Sequence, residues 1–269
     1  MKFSRFLYAI DEIIYSFIDC MLTKKSLKEA YFWISEYHYS GFKAWNILWL
    51  LYYDFYAILN PTFEKLIIHH HKKNIQSILF IVKNLFYLDF NTKVFKLRIK
   101  KCLRPNPLYN EKIPKWAKKN PNLLLSIHYN HTQNIAFYMN RYLKNEQKLY
   151  NLIYNYFTNV KKMNLNSPIK LKSLPYKNKL HICMAILYYL FTPKDSVKTT
   201  LTIVNLSQEE IDFIINLHQQ KITPLYKTLP HKRLYSISID IGCFPLKRFQ
   251  FENIAPLLWY HWIYYAYKS

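Results

Sequence analysis

The chain has 269 residues, of which 51% are hydrophobic, and its 38 Lys and Arg against 16 Asp and Glu give a formal net charge of +22. This hydrophobic content is typical of a folded protein and excludes a disordered tail. Only two glycines are present, Gly41 and Gly242. Because only a residue without Cβ lets the backbone approach a phosphate closely, the composition excludes most glycine-rich loops that bind phosphates in catalysis, such as the Walker loop, the Rossmann fingerprint and the kinase lid.

Hydrophobic periodicity predicts four helices in the first third of the chain. Ser26 stands three residues before Glu29, a capping box that opens the second helix, and Gly41 supplies the left-handed residue that ends it. The predicted helices cover about residues 5–22, 27–39 and 62–88, with another through Trp45 and Trp49 that stops before Asn60. This pattern predicts an aromatic helical bundle or a helical-hairpin array.

The rest of the chain combines a proline-containing loop with further helices. Prolines break the periodicity over residues 102–122, and helices resume at about 132–143, 146–157 and 180–190. Ser207 and Glu210 form a second capping box, which opens a helix to about His218. Apolar and polar side chains alternate over residues 235–239, which predicts a short strand. An aromatic helix is predicted at residues 254–267.

These elements predict a mainly α fold with at most one or two short strands. We expect an aromatic helical bundle at residues 1–90 and a basic, mostly helical region at 91–269; one continuous domain is the alternative. The four cysteines are too far apart for a zinc pair or a dense disulfide framework, which predicts free thiols in a reducing compartment. Acidic residues interrupt the N-terminal apolar stretch, and the longest apolar runs are shorter than the roughly 20 residues of a membrane span. We therefore expect no membrane span.

Two histidine clusters are the first candidates for chemistry. His69, His70 and His71 spread around about 200° of the predicted fourth helix, so they cannot all ligate one metal. A solvated or phosphate-facing surface fits them better. His128 and His131 lie near a helix start, but they lack a third ligand, and a capping role for Asn130 explains part of that polar cluster. We therefore expect neither a metal nor a cofactor.

Carboxylates are the second candidates, and they are scarce. A two-metal nuclease or polymerase needs several acidic ligands at one site, and residues 65–181 contain only three acidic side chains. The protein is an enzyme only if the fold gathers dispersed groups; the candidates are Asp11, Glu36, Asp54, His128, His131 and Asp240. Neither glycine builds a nucleophile elbow. We therefore expect a non-enzymatic role.

The distribution of charge is the strongest functional signal. Residues 1–64 carry 6 basic and 7 acidic side chains, whereas residues 65–181 carry 23 and 3, a net charge of +20. An AT-rich genome alone would favour lysine, which outnumbers arginine 32 to 6, but codon bias would spread lysine evenly. Uneven placement instead favours a polyanionic partner.

The basic residues are densest between positions 93 and 119, where aromatic residues are interleaved. Lys and Arg neutralise phosphates, and exposed aromatics stack on unpaired bases, which fits single-stranded nucleic acid. The predicted contact residues are Lys93, Lys96, Arg98, Lys100, Lys101, Arg104, Lys112, Lys115, Trp116, Lys118 and Lys119. Residues 161–179 extend the predicted surface.

Residues 28–42, with the sequence KEAYFWISEYHYSGF, end a predicted helix in Tyr-Ser-Gly-Phe. This segment resembles one near the N-terminus of uncharacterised proteins of nucleocytoplasmic large DNA viruses, the giant viruses. Residues 102–105, and residues 240–242 followed by Phe249 and the aromatic tail at 261–267, are similar to pieces of the same proteins. The resemblance implies a viral source with an AT-rich genome, and it implies no activity.

Together these observations predict a non-enzymatic protein that binds nucleic acid or another polyanion during viral genome handling, transcription or packaging. The expected location is the host cytoplasm, in the viral factory, or the virion. The alternative is a structural or interaction protein, such as an internal virion or minor capsid component. Solvent-facing aromatics would favour that alternative; the residues concerned are Tyr31, Trp33, Trp45, Trp259, Trp262 and Tyr264.

Overall fold

The protein is described from a computed structural model, which covers residues 4, 8, 10–71, 73–100, 104–106, 113–163 and 175–219. These residues form eleven α-helices and no strand, which confirms the mainly α prediction. The helices are α1 Ile10–Thr23, α2 Leu27–Tyr39, α3 Ala44–Leu51, α4 Phe63–His70, α5 Ile75–Tyr87, α6 Lys93–Ile99, α7 Pro121–His128, α8 Thr132–Asn140, α9 Glu146–Asn155, α10 Lys179–Phe191 and α11 Gln208–Gln219. The predicted strand at 235–239 and the closing helix at 254–267 lie outside the described residues.

Short π-helical and 3-10 segments extend or connect these helices. The π-helical turn Tyr52–Tyr56 follows α3, and a second one, Tyr156–Val160, follows α9. The 3-10 turns are Lys115–Ala117 and Lys194–Ser196. Within the described part of the chain, no helix is both long enough and apolar enough to cross a membrane.

Both predicted capping boxes stand at helix starts. Glu29 donates its backbone N–H to the Ser26 hydroxyl at 3.2 Å. At α11 both halves of the box are formed: the Glu210 amide donates to the Ser207 hydroxyl at 3.3 Å, and the Ser207 amide donates to the Glu210 carboxylate at 2.7 Å. These local patterns therefore fix where α2 and α11 begin.

The predicted fourth helix, 62–88, is wrong as one element, because the structure divides it into α4 and α5. Asn74 caps the start of α5, its side chain accepting the Ser77 amide at 3.1 Å. An asparagine at this position satisfies an amide that lacks a helical partner, so a new helix start replaces a continuous helix. Helices α6 and α7 were not predicted, and both are short, with 7 and 8 residues.

The chain forms two compact units that are not consecutive in sequence. The first unit comprises Met1–Trp49, His69–Leu88 and Thr202–Ser269, and the second comprises Leu50–Ile68 and Asp89–Leu201. Two of the four boundaries along the chain fall inside α3 and α4, and the other two follow Leu88 and Leu201. The predicted division at residue 90 stays a prediction.

The first unit is built around the pairing of α1 with α2, on which α5 and α11 also pack. Its core is aromatic: the Trp33 ring lies 5.0 Å from that of Tyr8 and 4.8 Å from that of Phe32, and the Tyr8 and Phe32 rings are 6.1 Å apart. Lys83 of α5 forms an ion pair with Glu210 of α11 at 2.7 Å. Asn84 exchanges two hydrogen bonds with the backbone of Val204. These polar contacts attach the 202–219 segment to α5.

The second unit is built around α10. Ten of the 13 residues in this helix are buried, as expected for a helix that is apolar on nearly every side. It packs against α6, α9 and the π-helical turn that follows α3, while α7 pairs with α8. Cys183 of α10 and Cys20 of the first unit are both buried, and neither forms a disulfide with a described residue.

Candidate nucleic-acid interface

The second unit contains every predicted contact residue. By sequence it carries 22 Lys and Arg against 6 Asp and Glu, a net charge of +16. Most of the predicted cations that the structure describes are exposed: Lys93, Lys96, Arg104, Lys115, Lys118 and Lys119. Lys100 is half-buried, and Lys101 and Lys112 lie outside the described residues. The unit therefore presents a basic surface in which acidic groups are few.

The segment from 113 to 121 positions three of these lysines. Pro114 is extended and opens a 3-10 turn, after which Pro121 begins α7 at a position where its missing N–H costs nothing. Lys115, Lys118 and Lys119 are exposed on this short connection. Among the described residues, none of the three forms an ion pair with a carboxylate.

Trp116 lies on the same turn but is half-buried. Its ring centroid is 5.1 Å from that of His128 and 5.5 Å from that of Tyr156. His128 in turn contacts the Tyr156 hydroxyl at 3.0 Å. Burial, together with the charge of Lys161, lowers the pKa of His128. This aromatic cluster anchors the basic turn to the end of α9, and base stacking by Trp116 stays a prediction.

Arg104 reaches the surface on a segment that α8 holds in place. Asn134, which is buried, accepts the Asn106 amide at 2.8 Å and donates to the Asn106 carbonyl at 3.1 Å. Gln133 donates to the Arg104 carbonyl. The exposed guanidinium of Arg104 is therefore attached to fixed backbone.

Arg98 differs from the other predicted contact residues because it faces the core of the unit. Its guanidinium forms two hydrogen bonds with Asp54, Nε to Oδ1 at 3.0 Å and Nη2 to Oδ2 at 2.7 Å. His181 Nε2 lies 2.8 Å from the same Oδ1, and the Tyr176 hydroxyl contacts His181 Nδ1 at 3.0 Å. We leave Arg98 out of the proposed surface because its charge is already paired.

Asp54 is fully buried in this cluster. Burial alone would raise the pKa of Asp54, but Arg98 and His181 hold it below its usual value. The carboxylate is therefore ionised, and its contacts with Arg98 and His181 offset the cost of burying its charge.

The other groups considered for catalysis contact different neighbours. Asp11 and Glu36 belong to the first unit, whereas Asp54, His128 and His131 belong to the second; Asp240 lies outside the described residues. Over the described residues, no group of three His, Cys, Asp or Glu side chains could hold a metal ion.

The three adjacent histidines have three different neighbours in the first unit. His71 accepts a hydrogen bond from the Trp49 indole at 3.1 Å, His70 stacks on Phe80 at 4.6 Å, and His69 lies 3.3 Å from the Lys73 ammonium. Two of these rings therefore pack against aromatic residues of the unit.

Aromatic residues named for the alternative role, protein interaction, are largely buried where the structure describes them. Tyr31 and Trp33 are 0% exposed and Trp45 is 9% exposed. Trp259, Trp262 and Tyr264 lie outside the described residues. The aromatic faces of α2 and α3 are thus part of a core.

Sequence reasoning missed two cations that the fold brings beside Lys119. Arg141 at the end of α8 and Lys148 in α9 line the same pocket as Lys119, with a volume of about 410 Å³. Lysine density along the chain could not indicate them, because Arg141 and Lys148 lie more than 20 positions after the dense basic segment.

Searches against protein-family models, curated proteins and solved structures found no match for the chain.

Proposed function

We propose that the second unit binds single-stranded nucleic acid through its basic surface, without catalysing a reaction on it. The observation that carries the proposal is the exposure of six predicted cations on one unit with a net charge of +16. Phosphate backbones bind such surfaces by releasing condensed counterions. The proposal includes a role in viral genome handling, transcription or packaging; the resemblance to giant-virus proteins supports the viral source and carries no activity.

The arrangement of the basic surface supports contact with a phosphate backbone. Lys115, Lys118 and Lys119 extend from one short turn, and Arg104 extends from a segment fixed by Asn134. Ion pairs with neighbouring carboxylates would compete with phosphates, and none is present at these four side chains in the described part of the chain.

Charge reversal tests the proposal. Lys115→Glu together with Lys118→Glu should weaken binding of a labelled single-stranded oligonucleotide at least tenfold at low salt, because two phosphate contacts are replaced by repulsion. The matched control is Lys25→Glu with Lys43→Glu, which makes the same charge change at exposed lysines of the first unit.

Fluorescence anisotropy gives the dissociation constants, and far-ultraviolet circular dichroism checks that each variant is folded. Equal weakening by both pairs would mean that net charge alone attracts the strand, and it would contradict the assignment of the second unit as the contact surface. Weaker binding by the Lys115→Glu, Lys118→Glu variant alone supports the second unit as the contact surface.

A further inference from the structure

The pocket of about 410 Å³ in the second unit is formed by three segments. Residues 119–123 contribute the start of α7, residues 138–142 the end of α8, and residues 145–148 the start of α9. Small-molecule sites in proteins usually measure about 300–1,000 Å³. The pocket is therefore large enough for one small ligand and too small for a folded partner.

Three cations line this pocket and no carboxylate does. They are Lys119, Arg141 and Lys148. Glu146 lies next to Asn145 in sequence but is not among the lining residues, and its carbonyl accepts a contact from Cys183 Sγ. Among the described residues none of the three cations forms an ion pair. A concave site lined by one sign of charge concentrates the opposite charge, so the pocket favours an anion.

Arg141 is held by aromatic rings. Its Cζ lies 4.7 Å from the centroid of the Phe137 ring and 5.4 Å from that of Tyr138. A guanidinium over an aromatic face keeps its N–H donors at the edge of the plane, where they match the oxygens of a phosphate. Arg141 is thus arranged to bind an anion without first breaking an ion pair to a described residue.

Tyrosines and amides supply the uncharged part of the lining. Tyr142 donates its hydroxyl to Asn120 Oδ1 at 2.5 Å, and burial raises the pKa of Tyr142. This bond joins α7 to the end of α8 and leaves the Asn120 amide nitrogen to donate elsewhere. Tyr138 and the side chains of Asn122 and Asn145 also line the pocket. An aromatic ring beside amide groups suits a planar, hydrogen-bonding ring such as a nucleobase.

Two helices begin at this pocket and add to its preference for anions. α7 has 8 residues and α9 has 10, and their N-cap residues Asn120 and Asn145 both line the pocket. First-turn amides at a helix N-terminus attract negative charge. Their contribution reinforces that of the three cations.

We infer that this pocket binds one nucleotide unit, with the phosphate at Arg141, Lys148 and Lys119 and the base beside Tyr138. The unit is either a free mononucleotide or one nucleotide of a bound strand. The strand form deepens the proposed function and rests on it, whereas the free form does not.

The experiment uses the full chain and four probes: adenosine 5′-monophosphate, adenosine, inorganic phosphate and a labelled single-stranded oligonucleotide. The test variant is Arg141→Gln with Lys148→Gln. The control is Lys144→Gln, an exposed lysine in the connection between α8 and α9 that does not line the pocket. Isothermal titration calorimetry gives the dissociation constants of the three small probes, and fluorescence anisotropy gives that of the oligonucleotide.

Removing the two cations should lower the affinity for adenosine 5′-monophosphate or for the oligonucleotide by about tenfold or more. The reason is that either ligand loses charge-assisted hydrogen bonds to its phosphate. Adenosine and inorganic phosphate should each bind more weakly than the mononucleotide. An effect on the mononucleotide identifies a free-nucleotide site. An effect on the oligonucleotide without mononucleotide binding identifies a strand subsite.

The inference is overturned if the mononucleotide does not bind and the oligonucleotide binds the variant and the Lys144→Gln control equally well. In that case the proposed function still stands. If the oligonucleotide does not bind the wild-type protein at all, the proposed function fails; mononucleotide binding that depends on Arg141 and Lys148 then supports the pocket, and its absence overturns the pocket as well.

Discussion

Gly41 illustrates how one residue ends a helix. It has a φ of 87°, in the left-handed region that the sequence predicted. Its amide donates to the His38 carbonyl at 3.0 Å, and the Phe42 amide donates to the Tyr37 carbonyl at 3.2 Å. This is the Schellman pattern, and the Tyr37 and Phe42 rings pack 5.0 Å apart to complete it.

Gly41→Ala should lower the free energy of unfolding by about 1 kcal/mol. A Cβ at this position would meet no atom within 4 Å, so the cost comes from backbone strain and not from a clash. Gly41→Asn should cost less, because asparagine tolerates this conformation better. Urea unfolding measures both; an alanine variant as stable as the wild type would contradict this explanation of the helix end.

Glu64 is a buried carboxyl group with one unpaired oxygen. It is 3% exposed, and its Oε2 has no hydrogen-bond partner among the described residues. Burial raises the pKa of Glu64 to about 7 from 4.5, although the Tyr53 hydroxyl offsets part of the shift. The folded protein therefore holds this proton more tightly than the unfolded chain does.

The raised pKa of Glu64 predicts a pH-dependent stability. Its contribution is fully present below pH 4.5 and is lost as pH rises through about 7. Glu64→Gln should remove this loss, which amounts to about 2–3 kcal/mol. Glu209→Gln, at an exposed carboxylate, is the control. Unfolding free energies measured from pH 5 to pH 8 check the prediction, and an identical pH slope in the two variants would refute it.

At the scale of the elements, the Asp54 cluster joins three parts of the second unit. Asp54 lies in the π-helical turn after α3, Arg98 in α6 and His181 in α10. The side chain of Asp54 is 0% exposed and that of Arg98 is 11% exposed. A buried charge costs several kcal/mol unless it is paired, so these elements depend on each other.

Arg98→Met should destabilise the second unit by about 3–5 kcal/mol, because it leaves Asp54 buried without its main partner. Lys96→Met is the control on the same helix, where an exposed side chain should change the stability by less than about 0.5 kcal/mol. Denaturant unfolding measures both variants. The effect of Arg98→Met should shrink as pH falls through the depressed pKa of Asp54, where the carboxylate takes up a proton.

Equal stability of the two variants would show that the ion pair contributes nothing to the second unit. Equal stability at acid pH only is the expected result, because a protonated Asp54 carries no charge that Arg98 would have to balance. Oligonucleotide binding should weaken less in Lys96→Met than in the charge-reversal pair, because one exposed lysine is one phosphate contact at most.

Helix ends could be predicted from local sequence patterns, whereas contacts between distant segments could not be predicted from the sequence. Ser207, Glu210 and Gly41 act within a few residues of themselves, so their roles follow from spacing alone. Asn74 offered the same kind of signal for the start of α5, but the apolar periodicity of residues 62–88 masked it. The short helix α6 is held by packing inside the second unit, which no local pattern indicates. Pro121 after Asn120 does mark the start of α7 locally, but the prolines of residues 102–122 together predict a loop.

The candidate site divides in the same way. Lysine density predicted the exposed turn at residues 115–119, yet it also included Arg98, whose partner Asp54 lies 44 positions earlier. Arg141 and Lys148 lie far from the dense segment and join Lys119 only because α7, α8 and α9 fold together. A pocket of this kind depends on tertiary structure and cannot be located from composition.

At the scale of the whole molecule, positive charge is concentrated in one of the two units. The second unit has a net charge of +16 out of +22 for the chain. If codon bias alone enriched the chain in lysine, the basic surface would have no specific polyanionic partner. Binding of phosphates by this basic surface would therefore distinguish a functional surface from lysine enrichment caused by codon bias alone.

The most direct test is the affinity of the wild-type protein for a labelled single-stranded oligonucleotide across a salt series. With about five phosphate contacts, the affinity should fall roughly a hundredfold between 50 and 200 mM salt, linearly on logarithmic axes. Parallel series with DNA, RNA and duplex show which form is preferred. Salt-steep binding is the predicted result; no binding at 50 mM salt, or affinity that does not change with salt, would contradict the proposal that the basic surface binds nucleic acid.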